Sequence, residues 1–309
     1  METHDKIGKV IAHAPAKINL ALEVEPLRAG EEKHRLNSVF CTTSLADTLV
    51  FGFESGKEPF NARVMVRSTD FDVAFIKERD NIVIKAVELF KLEYGFGFLP
   101  SGTLHVELVK SIPAQAGLGG GSSDGAAMLR MLCWLAQVDP LSERSLSVAR
   151  TLGADVPFFL HAPKAGLCAL MTGYGDELVE VLPKPQLSLA LVKPERGVST
   201  KKAYEIFDTA LDDARSSGFA GELAKALREE KALDAITPLC SNNLEPAAVE
   251  LLLDIAEIKA ELKALPGVLG ATMCGSGSTL FAICESPLAS QSCVQHFYKK
   301  GLWAVSVQT

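Results

Sequence analysis

Apolar positions along the chain change their period several times, and each change marks an element. Between residues 9 and 24, Ala16, Ile18, Leu20, Ala21, Leu22 and Val24 surround Lys17 and Asn19, which predicts a buried strand. Residues 28–35 are polar and charged, the composition of a loop. Residues 48–53 and 62–67 alternate or run apolar, as strands do. Over residues 81–94 the period lengthens: Ile82, Val83, Ala86, Val87, Leu89 and Phe90 make one stripe with Lys85, Glu88 and Lys91 outside it. That spacing predicts a helix, stopped by Gly95 and Gly97. Residues 103–109 alternate again, and a glycine-dense loop then leads into a helix expected over about residues 123–137.

Further on, Gly153-Ala154-Asp155-Val156-Pro157 reads as a tight turn, and residues 165–181 as a hairpin broken at Gly173-Tyr174-Gly175. Pro183-Lys184-Pro185 is the clearest break in composition. A strand over residues 187–192 and two long helical stretches are expected after it. Residues 264–284 carry no charge, a run long enough in principle to cross a bilayer. Its Pro266, Gly267, Gly270, Gly275 and Gly277, with Thr272, Ser276, Ser278 and Thr279, fit two short buried strands around a glycine loop instead. Hairpins mixed with helices, without regular β-α alternation, predict an α+β architecture.

Composition narrows this picture. The 309 residues, 48% hydrophobic and 22% charged, suit about two domains with sizeable cores. The boundary is expected to divide residues 1–170 from residues 171–309. A net charge of −7 argues against a bulk nucleic-acid binder or a polybasic membrane binder. It leaves room for an anionic ligand held by backbone N–H groups and one or two lysines. The seven cysteines are scattered, with no C-x-x-C pair, so they read as small buried hydrophobes and not as a zinc site or disulfide framework. The first residues, Met1-Glu2-Thr3-His4-Asp5, have no basic stretch leading into an apolar run, and a cytoplasmic protein is expected.

The chemistry concentrates in Pro113-Ala114-Gln115-Ala116-Gly117-Leu118-Gly119-Gly120-Gly121-Ser122-Ser123-Asp124, between a predicted strand and a predicted helix. Four glycines in five positions remove the Cβ atoms that keep a ligand from the backbone. N–H groups converging at a helix N-terminus form a phosphate cradle, and Ser122, Ser123 and Asp124 are N-cap candidates. The bland alternative is a flexible loop that merely joins strand to helix. The Walker pattern fails because no lysine follows these glycines, and the dinucleotide pattern G-x-G-x-x-G meets Ser122 where it needs its last glycine.

Pro-x-x-x-Gly-Leu-Gly-Gly-Gly-Ser-Ser-Asp resembles the signature loop of the kinase superfamily named for galactokinase, homoserine kinase, mevalonate kinase and phosphomevalonate kinase. Ala14-Pro15-Ala16-Lys17-Ile18-Asn19-Leu20 resembles its first motif, and the run from Gly270 to Phe281 its third, in the right order. Within the superfamily, Pro-Ala-Lys-Ile-Asn-Leu is similar to the branch whose alcohol substrate carries a cytidine diphosphate, in the non-mevalonate route to isoprenoids. Gly153-Ala154-Asp155-Val156-Pro157-Phe158-Phe159, Gly197-Val198-Ser199-Thr200 and Ser241-Asn242-Asn243-Leu244-Glu245-Pro246 support that branch. The resemblance implies the two-domain small-molecule kinase fold of that superfamily, with the active site in the interdomain cleft. It also implies an ATP-binding N-terminal domain, a substrate-side C-terminal domain, and Mg²⁺ on the nucleotide.

Phosphoryl transfer to an alcohol needs anchored phosphates, a base near the hydroxyl, and positive charge for the transferring group. The anchor is expected from Pro113, Gly117, Leu118, Gly119, Gly120, Gly121, Ser122 and Ser123. Asp155, in a tight turn among apolar residues, is the candidate base, and Lys17, on a buried strand, its candidate partner; a structural ion pair is the alternative. The resemblance assigns these two the same roles and places Asn19 near the reacting groups. It puts His34 at the cytidine and Asn81 near the adenine, although Asn81 also reads as a helix N-cap. The matching stretch departs from the family's Gly-Tyr-His, having Glu32-Lys33-His34, so Tyr204 is the candidate aromatic face. Gly275 and Ser276 would close the site, or form a plain hairpin turn. The expected function is phosphorylation of the cytidylated alcohol's 2-hydroxyl by a monomer or weak homodimer, without nucleic-acid or membrane partners. A sister kinase acting on homoserine, mevalonate or a sugar, and a non-catalytic sensor, are the alternatives.

Overall fold

Two long strands open the chain, β1 (Val10–Val24) and β2 (Leu36–Ser55), and they pair with each other. The computed structural model describes residues 8–68, 71, 73, 81–162, 165–209 and 218–309; the chain's first five residues, read above for a signal, lie outside them. Contacts group the described residues into two units that are discontinuous in sequence. Met1–Ala16, Leu45–Pro113 and Gly119–Lys164 make the first; Lys17–Ser44, Ala114–Leu118 and Ala165–Thr309 make the second.

In the first unit, residues 48–55 of β2 pair antiparallel with β4 (Gly102–Val109), which pairs in parallel with β3 (Asn61–Arg67). Alternation in β4 buries Leu104, Val106 and Leu108, as its period of two requires. The helices are α1 (Ile82–Tyr94), α2 (Gly120–Ala136), α3 (Glu143–Leu152) and α4 (Val156–His161). α1 packs on α2 and α3, and α2 packs on α4. The apolar stripe of α1 is buried at Val83, Ala86, Val87, Phe90 and Tyr94, and Gly95 ends the helix as expected.

The start of α2 differs from its sequence expectation. It begins at Gly120, with Gly119 at the N-cap in the left-handed region (φ 70°) and Ser123 N–H bonded to the Gly119 carbonyl. Ser122, Ser123 and Asp124 are therefore inside the helix and not its caps. A left-handed backbone turns the chain into the helix earlier than a serine cap does, and glycine adopts it without a steric penalty.

In the second unit, residues 38–41 of β2 pair antiparallel with β5 (Cys168–Thr172), which continues into β6 (Glu177–Leu182). A separate antiparallel sheet has the order β10-β7-β9-β8, from β7 (Ser188–Lys193), β8 (Val268–Met273), β9 (Leu280–Cys284) and β10 (Trp303–Gln308). The uncharged run thus forms the expected pair of short strands, and no helix among the described residues is long and apolar enough to cross a membrane. The two long helical stretches expected after residue 192 are instead α5 (Thr200–Thr209), α6 (Phe219–Arg228), α7 (Leu233–Ile236), α8 (Glu245–Leu251) and α9 (Asp254–Ala264). Residues 210–217 lie outside the described residues. The stretches break where Pro238 and Pro246 stand second in new turns, within the first turn, where a missing N–H costs no helical bond. α10 (Pro287–Tyr298) closes the core with Cys293 and Phe297.

Candidate active site

In the second unit, Lys17 and Asn19 lie two residues apart on β1 and so share one face of the strand. Both are buried, Lys17 at 4% exposure and Asn19 at 1%. Lys17 Nζ donates to Asn19 Oδ1 at 2.7 Å and sits 4.6 Å from the centre of the Phe40 ring. Asn19 Nδ2 donates to Ser38 Oγ at 2.9 Å, and Ser38 Oγ in turn donates to the Ala21 carbonyl. A buried ammonium is costly unless its donors are satisfied, and this chain of bonds fixes its direction. Ser38 and Phe40 carry no signal in the sequence, because only strand pairing brings β2 alongside β1.

The first half of the glycine-rich loop, residues 114–118, belongs to the same unit. Lys17 N–H donates to the Leu118 carbonyl at 2.9 Å. Gly117 has φ 74°, and a Cβ there would lie 2.2 Å from the Cys274 carbonyl oxygen, so no other residue fits. The loop between β8 and β9 comes equally close: a Cβ on Gly275 would lie 3.1 Å from the Gly117 oxygen and 3.5 Å from Asn19 Oδ1. Lys17, Asn19, Gly117, Leu118 and Gly275 thus converge. Asn242 holds the β8–β9 loop from below, donating from Nδ2 to the Met273 and Gly275 carbonyls at 2.9 and 2.7 Å. Ser276 Oγ bonds Thr200 Oγ1 at 2.7 Å. Both roles escape a reading of the sequence, since Asn242 and Thr200 lie far along the chain from the loop they fix. Burial pushes the Cys274 thiol up to about 12, which leaves it inert beside the site.

Also in the second unit, His34 Nδ1 bonds the Glu25 carbonyl at 2.9 Å while Nε2 faces Asp208 Oδ2 at 3.3 Å. The Tyr204 ring lies against the imidazole with centroids 4.9 Å apart, and Phe207 meets it edge-on at 5.8 Å. Helical spacing on α5 presents Tyr204, Phe207 and Asp208 to one place. Lys33 is exposed.

In the first unit, Gly119 to Ser123 form the N-terminus of α2, whose first N–H groups lack partners within the helix. Gly121 is exposed, and a Cβ there would meet nothing within 4 Å. Pro113 is half-buried just before the loop turns. Ser122 Oγ lies 3.8 Å from where a Cβ on Gly153 would stand, so the turn carrying Asp155 adjoins this helix start. Asp155 is half-buried at the N-cap position of α4, and its side chain does not cap that helix. Asn81 caps α1, accepting from Val83 N–H at 3.0 Å; its Nδ2 is buried without a partner among the described residues.

A family model for the GHMP kinases N terminal domain matches residues 81–162, and one for the GHMP kinases C terminal matches residues 210–301. A 4-diphosphocytidyl-2-C-methyl-D-erythritol kinase of Desulfitobacterium hafniense is 36% identical over 285 residues, 90% of this chain and 88% of that one. The chain belongs to the 4-diphosphocytidyl-2-C-methyl-D-erythritol kinase family. A crystal structure of 4-(cytidine 5'-diphospho)-2C-methyl-D-erythritol kinase shares its fold, with TM-score 0.74, 31% identity, and coverage of 97% of this chain and 100% of that one. A homoserine kinase from Cytophaga hutchinsonii, at 20% identity and TM-score 0.70, covers 100% of this chain and 96% of its own; it shares the fold alone. Membership in this GHMP kinase family agrees with the α+β kinase fold expected from the three motifs.

Proposed function

We propose that the protein transfers the γ-phosphoryl group of ATP to the 2-hydroxyl of 4-diphosphocytidyl-2-C-methyl-D-erythritol. The observation that carries this reading is the convergence of Lys17, Asn19, Gly117 and Gly275 in a chain whose family consists of kinases named for that alcohol. The hydroxyl oxygen attacks the γ-phosphorus, the bond from γ-phosphorus to the bridging oxygen breaks, and ADP leaves. Asp155 takes the hydroxyl proton as this bond forms. Lys17, aimed by Asn19, supplies positive charge to the transferring group.

The nucleotide phosphates would lie on the N–H groups at the start of α2, where Gly121 offers open backbone. Asn81 has a donor to spare for the base, since capping engages only its carbonyl oxygen. His34 and Tyr204 would hold the cytosine, one at its edge and one on its face, with Ser276 and Gly275 closing over the alcohol. Among the described residues no group of three His, Cys, Asp or Glu stands ready for an ion. Mg²⁺ keeps several waters and binds through phosphates plus one or two carboxylates; Asp155 would be the neighbouring carboxylate. When bound, the ion neutralises charge on the phosphates.

A coupled assay of ADP release against a panel of alcohols tests the reading. Turnover with the cytidylated diphosphate and none with homoserine, mevalonate or galactose is expected. Turnover with one of those three instead would reassign the substrate, and none with any alcohol would favour a sensor.

A further inference from the structure

The two ends of the glycine-rich loop are tied by charges that the proposed reaction does not use. Lys110 precedes the loop, Asp124 follows it on α2, and Asp47 comes from β2. Lys110 Nζ bonds the Asp124 carboxylate at 2.6 Å and the Asp47 carboxylate as well. The other Asp47 oxygen accepts from Ser111 and Ile112 N–H at 2.6 and 2.8 Å, which fixes the chain just before it turns into the loop. All three side chains are buried, with Asp47 fully enclosed. A Cβ on Gly120 would lie 3.4 Å from Asp47 Oδ2 and 2.8 Å from Ile112 Cγ2, so the carboxylate sits directly beneath the first residue of α2. Asp124 Oδ1 has no hydrogen-bond partner among the described residues.

We propose that Lys110, Asp47 and Asp124 are positioning residues that clasp the ends of the glycine-rich loop, and that the number of charges they carry sets the loop's affinity for nucleotide phosphates. The inference rests on the reading of this loop as the phosphate anchor. Two carboxylates and one ammonium cannot all stay ionised in a closed site without leaving a net buried negative charge. Asp47 accepts from three donors, the Lys110 ammonium and the Ser111 and Ile112 N–H groups. Asp124 accepts from Lys110 and shares a side-chain hydrogen bond with Asp47, and burial pushes its carboxyl up to about 8, with the nearby Asp47 raising it against the pull of Lys110. Below that range the clasp is neutral overall. Above it, one uncompensated negative charge lies under the N-terminus of α2, where it repels a polyanion.

Among the charged groups of the described elements packed on α2, Asp155 at the start of α4 belongs to the turn that adjoins the same helix start. The strongest influences on Asp124 are Lys110 and Asp47, and neither α1 (Lys85, Glu88, Lys91, Glu93) nor α3 (Glu143, Arg144, Arg150) figures among them. His161 on α4 is held below its ordinary value by burial, so it titrates on the acid side of the range that matters.

Steady-state kinetics of the full chain with MgATP, from about pH 7 to about pH 9, tests this. The KM for ATP should rise roughly fivefold across that range while kcat changes little. In Asp124→Asn the rise should vanish, and Asp124→Leu, which also cannot ionise, should give the same flat profile if the asparagine folds poorly. A rise in either variant equal to that of the unmodified protein overturns the proposal. Gly121→Asp keeps that failure distinct from failure of the anchor: it places a carboxylate at the open start of α2 and should raise the KM for ATP at every pH. If it does not, the loop is not the phosphate anchor, whatever Asp124 does.

Discussion

Lys17 Nζ donates to Asn19 Oδ1, 2.7 Å away and two residues further along the same strand. The buried cation is thus aimed by its own strand neighbour, and the strand's period of two makes the pairing possible. Asn19→Leu removes one acceptor of the buried ammonium, which should cost about 1.5–3 kcal/mol of stability. Lys17→Met should recover most of that stability in the Asn19→Leu background while abolishing turnover. Urea denaturation and kcat at saturating substrates separate the two effects; retention of kcat in Lys17→Met would remove Lys17 from the chemistry.

Asp155 stands at the start of α4, and its side chain makes no cap bond to that helix. Asp155→Asn should lower kcat by roughly 10² to 10⁴ and leave the KM for ATP nearly unchanged, the size expected for positioned acid–base help. Single-turnover measurements with labelled ATP check it, and near-normal turnover would sink the assignment.

Gly117 and Gly121 have opposite surroundings. A Cβ at Gly117 meets the Cys274 carbonyl at 2.2 Å, whereas one at Gly121 meets nothing. Gly117→Ala should therefore cost at least about 2 kcal/mol of stability, because both the backbone angle and the neighbouring carbonyl forbid it. Gly121→Ala should leave the unfolding midpoint in place and raise the KM for ATP about tenfold, as a methyl group intrudes where phosphates approach. Equal effects of the two on stability would contradict this division.

The Tyr204 ring lies 4.9 Å from that of His34. Loss of an aromatic face under a base costs about 1–3 kcal/mol, so Tyr204→Ala should raise the KM for the cytidylated alcohol by one to two orders of magnitude. Tyr204→Phe should keep most of the affinity, and neither variant should move the KM for ATP. A parallel change in both Michaelis constants would mean that the substitution disturbs α5 as a whole.

Asp124 also couples folding to pH. Its carboxyl rises from 3.8 to about 8 on folding. The folded chain therefore holds a proton that the unfolded chain has lost. The stability contributed is fully present below about pH 4, declines as pH rises, and is gone above about pH 8. Urea midpoints should fall between about pH 5 and about pH 8, and Asp124→Asn should flatten that slope. An unchanged slope in the variant would place the proton elsewhere.

The sequence by itself determined many of the local elements and singled out the loop for which phosphate anchoring is proposed. Period-two and period-3.6 patterns marked β4 and α1, because burial on one side of an element repeats at its own period, and an uncharged run broken by glycines marked the β8–β9 pair. Glycine density marked the turn proposed to anchor phosphates, because only a missing side chain permits such approach. Tertiary structure decided what those patterns do not encode. The first helical turn of α2 begins at Gly120 because Gly119 takes a left-handed conformation, which the sequence permits and does not specify. Ser38, Asn242 and Thr200 reach the site only through strand pairing and loop packing between distant segments. The division into units that interleave along the chain follows from β1 and β2 each being long enough to serve both. The clasp of Lys110, Asp47 and Asp124 belongs here too: each is an ordinary charged residue in its own segment, and only burial side by side makes their ionisation interdependent.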